Sequence, residues 1–322
     1  MKSAVEIFSE LGARLGNIPA EVLALASREN EWFCQIETAI DAIRTQMLDS
    51  AKISQWLSLY PIVPHAPKRV AIVMAGNIPA VGFADLMYVI ASGNIPVIKY
   101  SSKDRALMEH IVRELQAIEP KLIIEQYNGQ KVDAAIATGS DSAALHFKAQ
   151  FGDIPALIRG SRHSAALLMG NESKEQLEAL SRDIFTYCGL GCRNVSLIFA
   201  PQGYNFSLTV PPMPLGYNNN YRHTRALMTM QGKVFNDIGG ALTVESGAEF
   251  PRQISCINIC RYDSIDEVKQ WLSDNDSRLQ CVVAAEKIHS RTVNFGQAQY
   301  PALNDYADEV DVMKFLVTIS LM

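Results

Sequence analysis

Short apolar runs alternate with helical segments between residue 69 and about residue 149, and this alternation constrains the fold more than any other feature of the 322-residue chain. Alternating strands and helices are typical of a mostly parallel sheet covered by helices on both faces. The pattern therefore predicts an α/β fold. The predicted strands are 69–75, 95–99, 121–126 and 132–137, and the predicted helices are 83–91, 103–118 and 141–149.

A second α/β block is predicted from about residue 184. We expect strands at 195–199, 255–262 and 279–285 and a helix over 220–236. Ser264 is expected to cap a further helix, with Glu267 as its capping-box partner. Residues 1–60 show apolar residues at helical spacing, and a proline-rich connector follows them. Two α/β blocks meeting near residue 185 predict a cleft of the kind in which ligands usually bind.

Composition excludes several classes of protein. Hydrophobic residues make up 48% of the chain and charged residues 20%, which is globular and argues against disorder. The net charge is −5 and no basic run is present, so we expect no nucleic-acid partner. No apolar stretch predicts a membrane span, and the first residues do not resemble a signal peptide. Six cysteines are too few for a disulfide scaffold, which favours reduced thiols and a cytoplasmic protein.

Cys192 is the strongest candidate nucleophile. It follows Gly189-Leu190-Gly191, where the backbone can approach a ligand, and it precedes Arg193, whose charge favours a thiolate. The alternative is that all six cysteines are small buried hydrophobic residues, which we expect of Cys34, Cys256, Cys260 and Cys281. A zinc site is disfavoured because Cys256 and Cys260, four apart on a predicted strand, would lie about 13 Å from each other.

Two loops at predicted strand ends are further candidates. Asn77 follows the strand that begins at Arg69, where its amide serves either the turn itself or an oxyanion. Thr138-Gly139-Ser140 follows another strand and opens a helix, a place suited to a phosphate group. This second signal is weak, because the segment matches neither G-x-G-x-x-G nor the P-loop pattern.

Five segments, in this order, resemble the aldehyde dehydrogenase superfamily, and within it the acyl-CoA reductases related to the fatty-acid reductase of bacterial bioluminescence. The segments are Asn77-Ile78-Pro79, Gly93-Asn94-Ile95-Pro96-Val97-Ile98-Lys99, Thr138-Gly139-Ser140, Gly189-Leu190-Gly191-Cys192 and Arg261-Tyr262-Asp263-Ser264-Ile265-Asp266-Glu267. The resemblance covers about residues 65–290. It implies two α/β domains with parallel-rich sheets flanking a central cleft.

The resemblance also implies roles for individual residues. Cys192 would be the catalytic thiol and Asn77 an oxyanion donor. Lys99 would contact the adenosine ribose or its phosphate, and Thr138, Gly139 and Ser140 would lie beneath the cofactor pyrophosphate. Glu249 is the nearest match to the glutamate that binds the nicotinamide ribose.

Two departures from the family pattern narrow the expected reaction. Ile158 stands where the family has the glutamate that activates the hydrolytic water, and an apolar side chain cannot accept a proton. Ser101 and Ser102 follow Lys99 where the family often has a carboxylate, which would repel a 2′-phosphate. We therefore expect NADPH-dependent reduction of an acyl-CoA thioester to the aldehyde through a thioacyl-cysteine, and the resemblance to the bioluminescence reductase implies a long-chain fatty acyl-CoA. The alternatives are a reductase of a small acyl phosphate, a catalytically silent nucleotide-binding module, and a structural zinc protein.

The expected domain organisation follows from the pattern and the resemblance together. Residues 1–66 would form a helical lead-in to the cofactor domain, and residues 67–184 a Rossmann-like NAD(P)-binding domain. Residues 185–290 would form the catalytic domain, and residues 291–322 a C-terminal segment of undetermined packing. A homo-oligomer is consistent with this organisation.

Overall fold

The computed structural model describes residues 2–321, which divide into two compact units. The first unit comprises residues 2–30, 36–161 and 300–321, and the second comprises residues 31–35 and 162–299. The boundary therefore lies near residue 161 and not at residue 184. The predicted boundary was late because a strand at His163–Leu167 already pairs with strands of the second unit. Likewise, residues 291–322 do not form one segment, because residues 300–321 belong to the first unit.

The described residues contain eleven α-helices and twelve strands. The helices are α1 (Ala4–Arg14), α2 (Ala20–Glu29), α3 (Ile36–Met47), α4 (Ser50–Leu57), α5 (Phe83–Ala91), α6 (Arg105–Ile118), α7 (Asp141–Gln150), α8 (Lys174–Phe185), α9 (Leu215–Met230), α10 (Ile265–Asp274) and α11 (Val312–Ser320). The strands are β1 (Arg69–Val73), β2 (Ile95–Lys99), β3 (Glu125–Gln126), β4 (Ala134–Thr138), β5 (Ala156–Arg159), β6 (His163–Leu167), β7 (Val195–Pro201), β8 (Asn236–Asp237), β9 (Leu242–Glu245), β10 (Cys256–Tyr262), β11 (Leu279–Val283) and β12 (Thr292–Val293).

The amino-terminal residues form four helices, as the apolar spacing predicts. Ser3 begins α1 with a capping box, since its hydroxyl accepts from the Glu6 N–H and the Glu6 carboxylate accepts from the Ser3 N–H. One face of α1 is buried through Ile7, Phe8 and Leu11. The proline-rich connector contains no helix or strand and leads directly into β1.

The first sheet has the strand order β3-β2-β1-β4-β5, and its pairings are all parallel. Its central strands are buried, which explains their continuous apolar sequence. The bounds predicted for α5 and β2 agree with the structure residue by residue. The strand predicted at 121–126 is shorter than expected, because only Glu125–Gln126 pairs with β2.

The second sheet has the order β12-β11-β6-β7-β10-β9-β8, and only the β8–β9 pairing is antiparallel within the described residues. Leu180 and Ile184 of α8 belong to the apolar cluster on one face. Val268 and Leu272 of α10 belong to the cluster on the other face. Helices therefore cover both faces, and the predicted α/β class with parallel-rich sheets is confirmed.

Two local predictions in the second unit need correction. The helix expected over 220–236 is α9, which ends at Met230 because Gly232 adopts a left-handed conformation (φ +63°) and Asn236–Asp237 forms β8. Ser264 does cap α10, but its hydroxyl accepts from the Asp266 N–H at 3.2 Å and no capping box with Glu267 forms. No helix of residues 2–321 is long and apolar enough to cross a membrane.

Candidate active site

The predicted oxyanion donor and the predicted cofactor residues of the first unit share one edge of its sheet. Strand order reverses between β1 and β4, and in open parallel sheets ligands bind outside the carboxyl ends of the strands at such a switch point. Asn77 follows β1, Lys99 ends β2 and Thr138 ends β4. Because these three strands are neighbours and parallel, the structure brings the three residues to the same edge.

The loops after β1 and β2 touch through Gly76. A Cβ atom built on Gly76 would lie 2.7 Å from the Cβ of Ser101, a separation that real side chains essentially never reach. The Lys99 carbonyl also accepts from the Met74 N–H at 3.1 Å. Only glycine permits this close approach, which is the arrangement expected where two loops form a shallow backbone platform for a ligand.

The β2 loop presents cationic and hydroxyl groups. The side chains of Lys99, Ser102 and Lys103 are exposed, and Ser101 is half-buried. Ser101 accepts from the Lys103 N–H at 3.3 Å, which fixes the turn. Lysine ammonium groups beside hydroxyls suit a phosphate group on a ribose. Sequence reasoning missed Lys103, although its charge four residues after Lys99 was a visible signal.

The loop after β4 ends at a helix start. Ser140 caps α7 by accepting from the Ala143 N–H at 3.3 Å, and the amino terminus of a helix is a place where anions commonly bind. The Gly139 N–H donates to the Arg159 carbonyl at 3.2 Å, which sets the turn beside β5. The expectation that Thr138, Gly139 and Ser140 lie beneath a cofactor pyrophosphate stays a prediction.

A buried ion pair lies below the β4 loop. Arg159 on β5 bonds to Asp85 on α5 at 2.7 Å, and both side chains are about nine-tenths buried. Arg159 also donates to the Thr138 hydroxyl at 3.4 Å. The pair therefore joins the helix after β1 to the loop after β4. Ile158, at the position of the expected base, is half-buried and packs on an apolar cluster.

Cys192 lies in the second unit, three residues before β7, and its side chain is exposed. Its carbonyl oxygen accepts from the Ser164 hydroxyl of β6 at 2.8 Å. The Cys192 carbonyl is therefore bonded to a strand of the sheet, while its side chain is exposed. Such a thiol is accessible to a substrate.

Asn194 organises this loop, and sequence reasoning missed it. Its buried amide donates to the carbonyl oxygens of Asp183, Ile184 and Thr186 at 3.1, 3.1 and 2.8 Å. Its side-chain oxygen accepts from the Gly191 N–H at 2.8 Å. One side chain therefore satisfies the carboxyl end of α8 and closes the turn that carries Cys192.

The turn between α8 and Cys192 is strained. Tyr187 and Cys188 have left-handed backbones (φ +53° and +59°), and Gly189 continues them (φ +70°). Non-glycine residues adopt this conformation uncommonly, and such residues cluster at functional sites.

Burial of Asp183 raises its pKa to about 6, although its carboxylate accepts from the Gly296 and Ala298 N–H groups.

Arg193 and Glu249 occupy separate places in the second unit. The Arg193 guanidinium is buried and donates to the Ala298 carbonyl at 3.4 Å, so its effect on the Cys192 thiol stays a prediction.

Glu249 is exposed in the loop after β9, and its carbonyl accepts from the Asn258 amide at 2.8 Å. The same loop reaches the Cys192 turn, since a Cβ on Gly189 would lie 3.8 Å from the Ile254 carbonyl.

The other cysteines are partly as expected. Cys256 and Cys281 are buried, and burial raises the pKa of each thiol to about 11. Cys260 is half-buried on β10 with Cys256. No cluster of three metal-binding side chains is present in residues 2–321. Cys34 differs from the expectation of an inert buried residue, because it is half-buried and its sulfur lies against that of Cys188.

Comparison with known proteins identifies the fold. No protein-family profile matches the chain, and no curated protein matches it. Among solved structures, aldehyde dehydrogenase 21 from Physcomitrella patens, in complex with the reaction product succinate, has a TM-score of 0.66 at 12% identity, over 99% of this chain and 84% of the other.

Two further solved structures have similar scores. The NAD+ complex of an aldehyde dehydrogenase from Bacillus cereus has a TM-score of 0.62 at 12% identity, over 89% of this chain and 72% of the other. A 3,6-anhydro-L-galactose dehydrogenase has a TM-score of 0.60 at 12% identity, over 88% and 74%. At this identity the likeness establishes architecture alone, and the chain has the aldehyde dehydrogenase fold.

Proposed function

We propose that this protein reduces an acyl-CoA thioester to the aldehyde with NADPH, through a thioacyl intermediate on Cys192. One observation carries the proposal. All six cysteines lie in the described residues, and of these Cys192 is the exposed one, in a loop attached to two elements by Asn194 and Ser164. An accessible thiol on a fixed backbone is what covalent catalysis needs.

The proposed reaction begins with attack of the Cys192 thiolate on the thioester carbonyl carbon. The Cys192 N–H and the Asn77 amide would donate to the oxyanion that forms. Collapse of this intermediate breaks the carbon–sulfur bond to CoA, which leaves as its thiolate and takes a proton, and the acyl group stays on Cys192. A nicotinamide dinucleotide held by this protein would supply the hydride that the acyl carbon needs. The Cys192 sulfur then leaves as the carbonyl re-forms, and the free aldehyde is released.

The residues that would hold the dinucleotide are those that the sequence resemblance implies. Lys99, Ser101 and Ser102 would contact the adenosine ribose and its 2′-phosphate. Thr138, Gly139 and Ser140 would contact the pyrophosphate, and Glu249 the nicotinamide ribose. The preference for NADPH over NADH is supported by the exposed ammonium groups of Lys99 and Lys103 and by the absence of a carboxylate at residues 99–103.

Ile158 favours reduction over aldehyde oxidation. Oxidation to an acid needs a base that activates water, and the side chain at this position is apolar and packs against other apolar residues. Thioester reduction needs no such water, because the acyl group arrives on CoA and leaves as an aldehyde. The proposal also includes a cytoplasmic location and a possible homo-oligomer, and the sequence resemblance supports a long-chain fatty acyl group.

The test is to trap the intermediate. Full-length protein mixed with radiolabelled acyl-CoA, in the absence of NADPH, should acquire a protein-bound thioester that hydroxylamine removes. Cys192→Ser should abolish the label, while Cys188→Ser, with its buried thiol, should retain it. Label that depends on Cys188 instead would overturn the assignment of the nucleophile.

Substrate and cofactor are tested by turnover. NADPH consumption should be measured over CoA thioesters of graded chain length, with NADH and with a small acyl phosphate as comparisons. Aldehyde formation from long-chain thioesters with NADPH is the expected result. Turnover of the acyl phosphate alone would favour the alternative reductase, and dinucleotide binding without turnover would favour a silent module.

A further inference from the structure

Two reduced cysteines far apart in the sequence lie in contact in the second unit. The Sγ atoms of Cys34 and Cys188 are 3.3 Å apart, although 154 residues separate them. The Cys188 sulfur is also 3.3 Å from the Trp32 carbonyl oxygen. The short segment Glu31–Gln35 belongs to the second unit, whereas the residues on both sides of it belong to the first.

Two further contacts hold this segment in place, one to the turn before Cys192 and one to α9. The side-chain oxygen of Gln35 accepts from the Tyr187 N–H at 3.1 Å. The Trp32 ring packs edge-on against Tyr217, with the ring centres 6.3 Å apart. The two sulfur atoms are therefore kept together by the surrounding structure.

The two thiols differ in accessibility and in acidity. Cys34 is half-buried, whereas Cys188 has no exposed surface. A hydrogen bond from Cys188 lowers the pKa of the Cys34 thiol, and the same contact, together with burial, raises the pKa of Cys188. Cys34 is thus the thiol that ionises first and that a small molecule can reach. A thiolate beside a second thiol is the arrangement for thiol–disulfide exchange.

We propose that Cys34 and Cys188 form a reversible disulfide by exchange with a low-molecular-weight disulfide such as oxidised glutathione. The Cys34 thiolate attacks one glutathione sulfur, the glutathione disulfide bond breaks, and the first glutathione leaves and takes a proton. Cys188 then loses its proton and attacks the Cys34 sulfur, which releases the second glutathione. The protein loses two electrons, and one oxidised glutathione becomes two reduced molecules.

The bond requires only a local movement. A disulfide has a sulfur–sulfur distance of about 2.05 Å, so the two Sγ atoms must approach each other from 3.3 Å. It would tie residues 31–35 covalently to the turn that ends at Cys192. The proposal does not depend on the proposed reduction of a thioester, since it concerns two other sulfur atoms.

The experiment titrates the full-length protein against graded ratios of reduced to oxidised glutathione. Samples are quenched in acid, alkylated and analysed by peptide mass spectrometry. As the ratio falls, Cys34 and Cys188 should together become resistant to alkylation and a Cys34–Cys188 cross-linked peptide should appear, and any glutathione adduct on the exposed Cys192 is counted separately. Reduction with excess dithiothreitol should restore alkylation of all six cysteines.

Three variants separate this outcome from the alternatives. Cys188→Ser should accumulate a stable glutathione adduct on Cys34, and Cys34→Ser should form neither adduct nor cross-link. Cys192→Ser should cross-link like the wild type. A Cys188–Cys192 cross-link, a lasting adduct on Cys34 in the wild type, or six alkylatable thiols at every ratio would each overturn the proposal.

A second measurement does not depend on the variants' folding. Phenylarsine oxide bridges paired thiols, so the reduced wild-type protein should bind one equivalent and thereby protect Cys34 and Cys188 from alkylation. Protection of any other pair, or of none, contradicts the proposal.

Discussion

The side-chain amide of Asn194 donates to the carbonyl oxygen of Thr186 at 2.8 Å, across the turn that carries Cys192. The same amide serves two further carbonyls at the carboxyl end of α8, which would otherwise be left without donors. The position of the Cys192 backbone therefore depends on a residue two positions later in the sequence.

Replacement of Asn194 by aspartate should loosen this turn. The variant keeps the shape of the side chain but removes its donor and places a carboxylate beside three carbonyl oxygens. We expect a loss of about 1–3 kcal/mol in the free energy of unfolding, and acylation of Cys192 slower by on the order of 10²-fold. Urea denaturation and the trapping assay measure the two effects.

The matched control for this variant is Asn218→Asp. The Asn218 amide donates a single bond, to the Met213 carbonyl at 2.7 Å on α9, outside the Cys192 turn. Its acylation rate should equal that of the wild type. Equal acylation rates in the two variants would mean that Asn194 does not position the thiol.

Asn77→Ala tests the proposed oxyanion donor. Loss of one such donor typically costs about 10²–10³-fold in rate, so acylation of Cys192 should fall by that factor while dinucleotide affinity stays unchanged. Asn128→Ala, which alters an exposed asparagine in a turn of the same unit, is the control. Full turnover by Asn77→Ala would remove Asn77 from the mechanism.

The elements best predicted from the sequence are those with strong local signals. The bounds of α5 and β2 could be read because Ser92-Gly93-Asn94 ends an apolar helix and leads into a buried apolar strand. The boundary between the two units could not be read. β5 and β6 are separated by a short polar turn, but β5 pairs with β4 in one sheet and β6 with β7 and β11 in the other.

The candidate site shows the same division between local and distant signals. Asn77, Lys99 and Thr138 follow strand ends, and parallel pairing is enough to bring them to one sheet edge. Asn194 acts through bonds to the end of α8, a cap that no sequence motif marks. The contact of Cys34 with Cys188 spans 154 residues, so only the tertiary structure reveals it.

Gly76→Ala should impair dinucleotide binding. The added methyl group would lie 2.7 Å from the Ser101 Cβ, so the β1 and β2 loops must separate, and we expect NADPH affinity to fall by at least about tenfold. Fluorescence titration with NADPH measures the effect. The double variant Gly76→Ala/Ser101→Gly removes the clash with the Ser101 side chain, so it should bind NADPH as tightly as Ser101→Gly alone. Equal loss of NADPH affinity in Gly76→Ala and in the double variant would show that this clash is not the cause.

Asp104 should make the stability of the protein depend on pH. It precedes α6 and is 1% exposed, and among the described residues neither of its carboxyl oxygens has a partner at full hydrogen-bond geometry, so the Ala80 N–H interacts with it only weakly. Burial raises its pKa to about 8, the Ala80 N–H opposes this only in part, and the nearby charge of Glu29 adds to it. In the unfolded chain the carboxyl ionises near its ordinary pKa of about 3.9.

Between about pH 4 and pH 8 the folded protein therefore keeps a proton that the unfolded chain has already released. Stability from this group is complete below pH 4 and falls by up to about 1.4 kcal/mol per pH unit until the folded pKa is passed. Asp104→Asn has no carboxyl at this position, so it lacks this loss of stability with rising pH. The free energy of unfolding of the variant minus that of the wild type should therefore rise by a few kcal/mol between pH 5 and pH 8 and then level off. Urea denaturation at each pH measures the difference. Parallel curves for Asp104→Asn and wild type would show that Asp104 ionises alike in the folded and unfolded states.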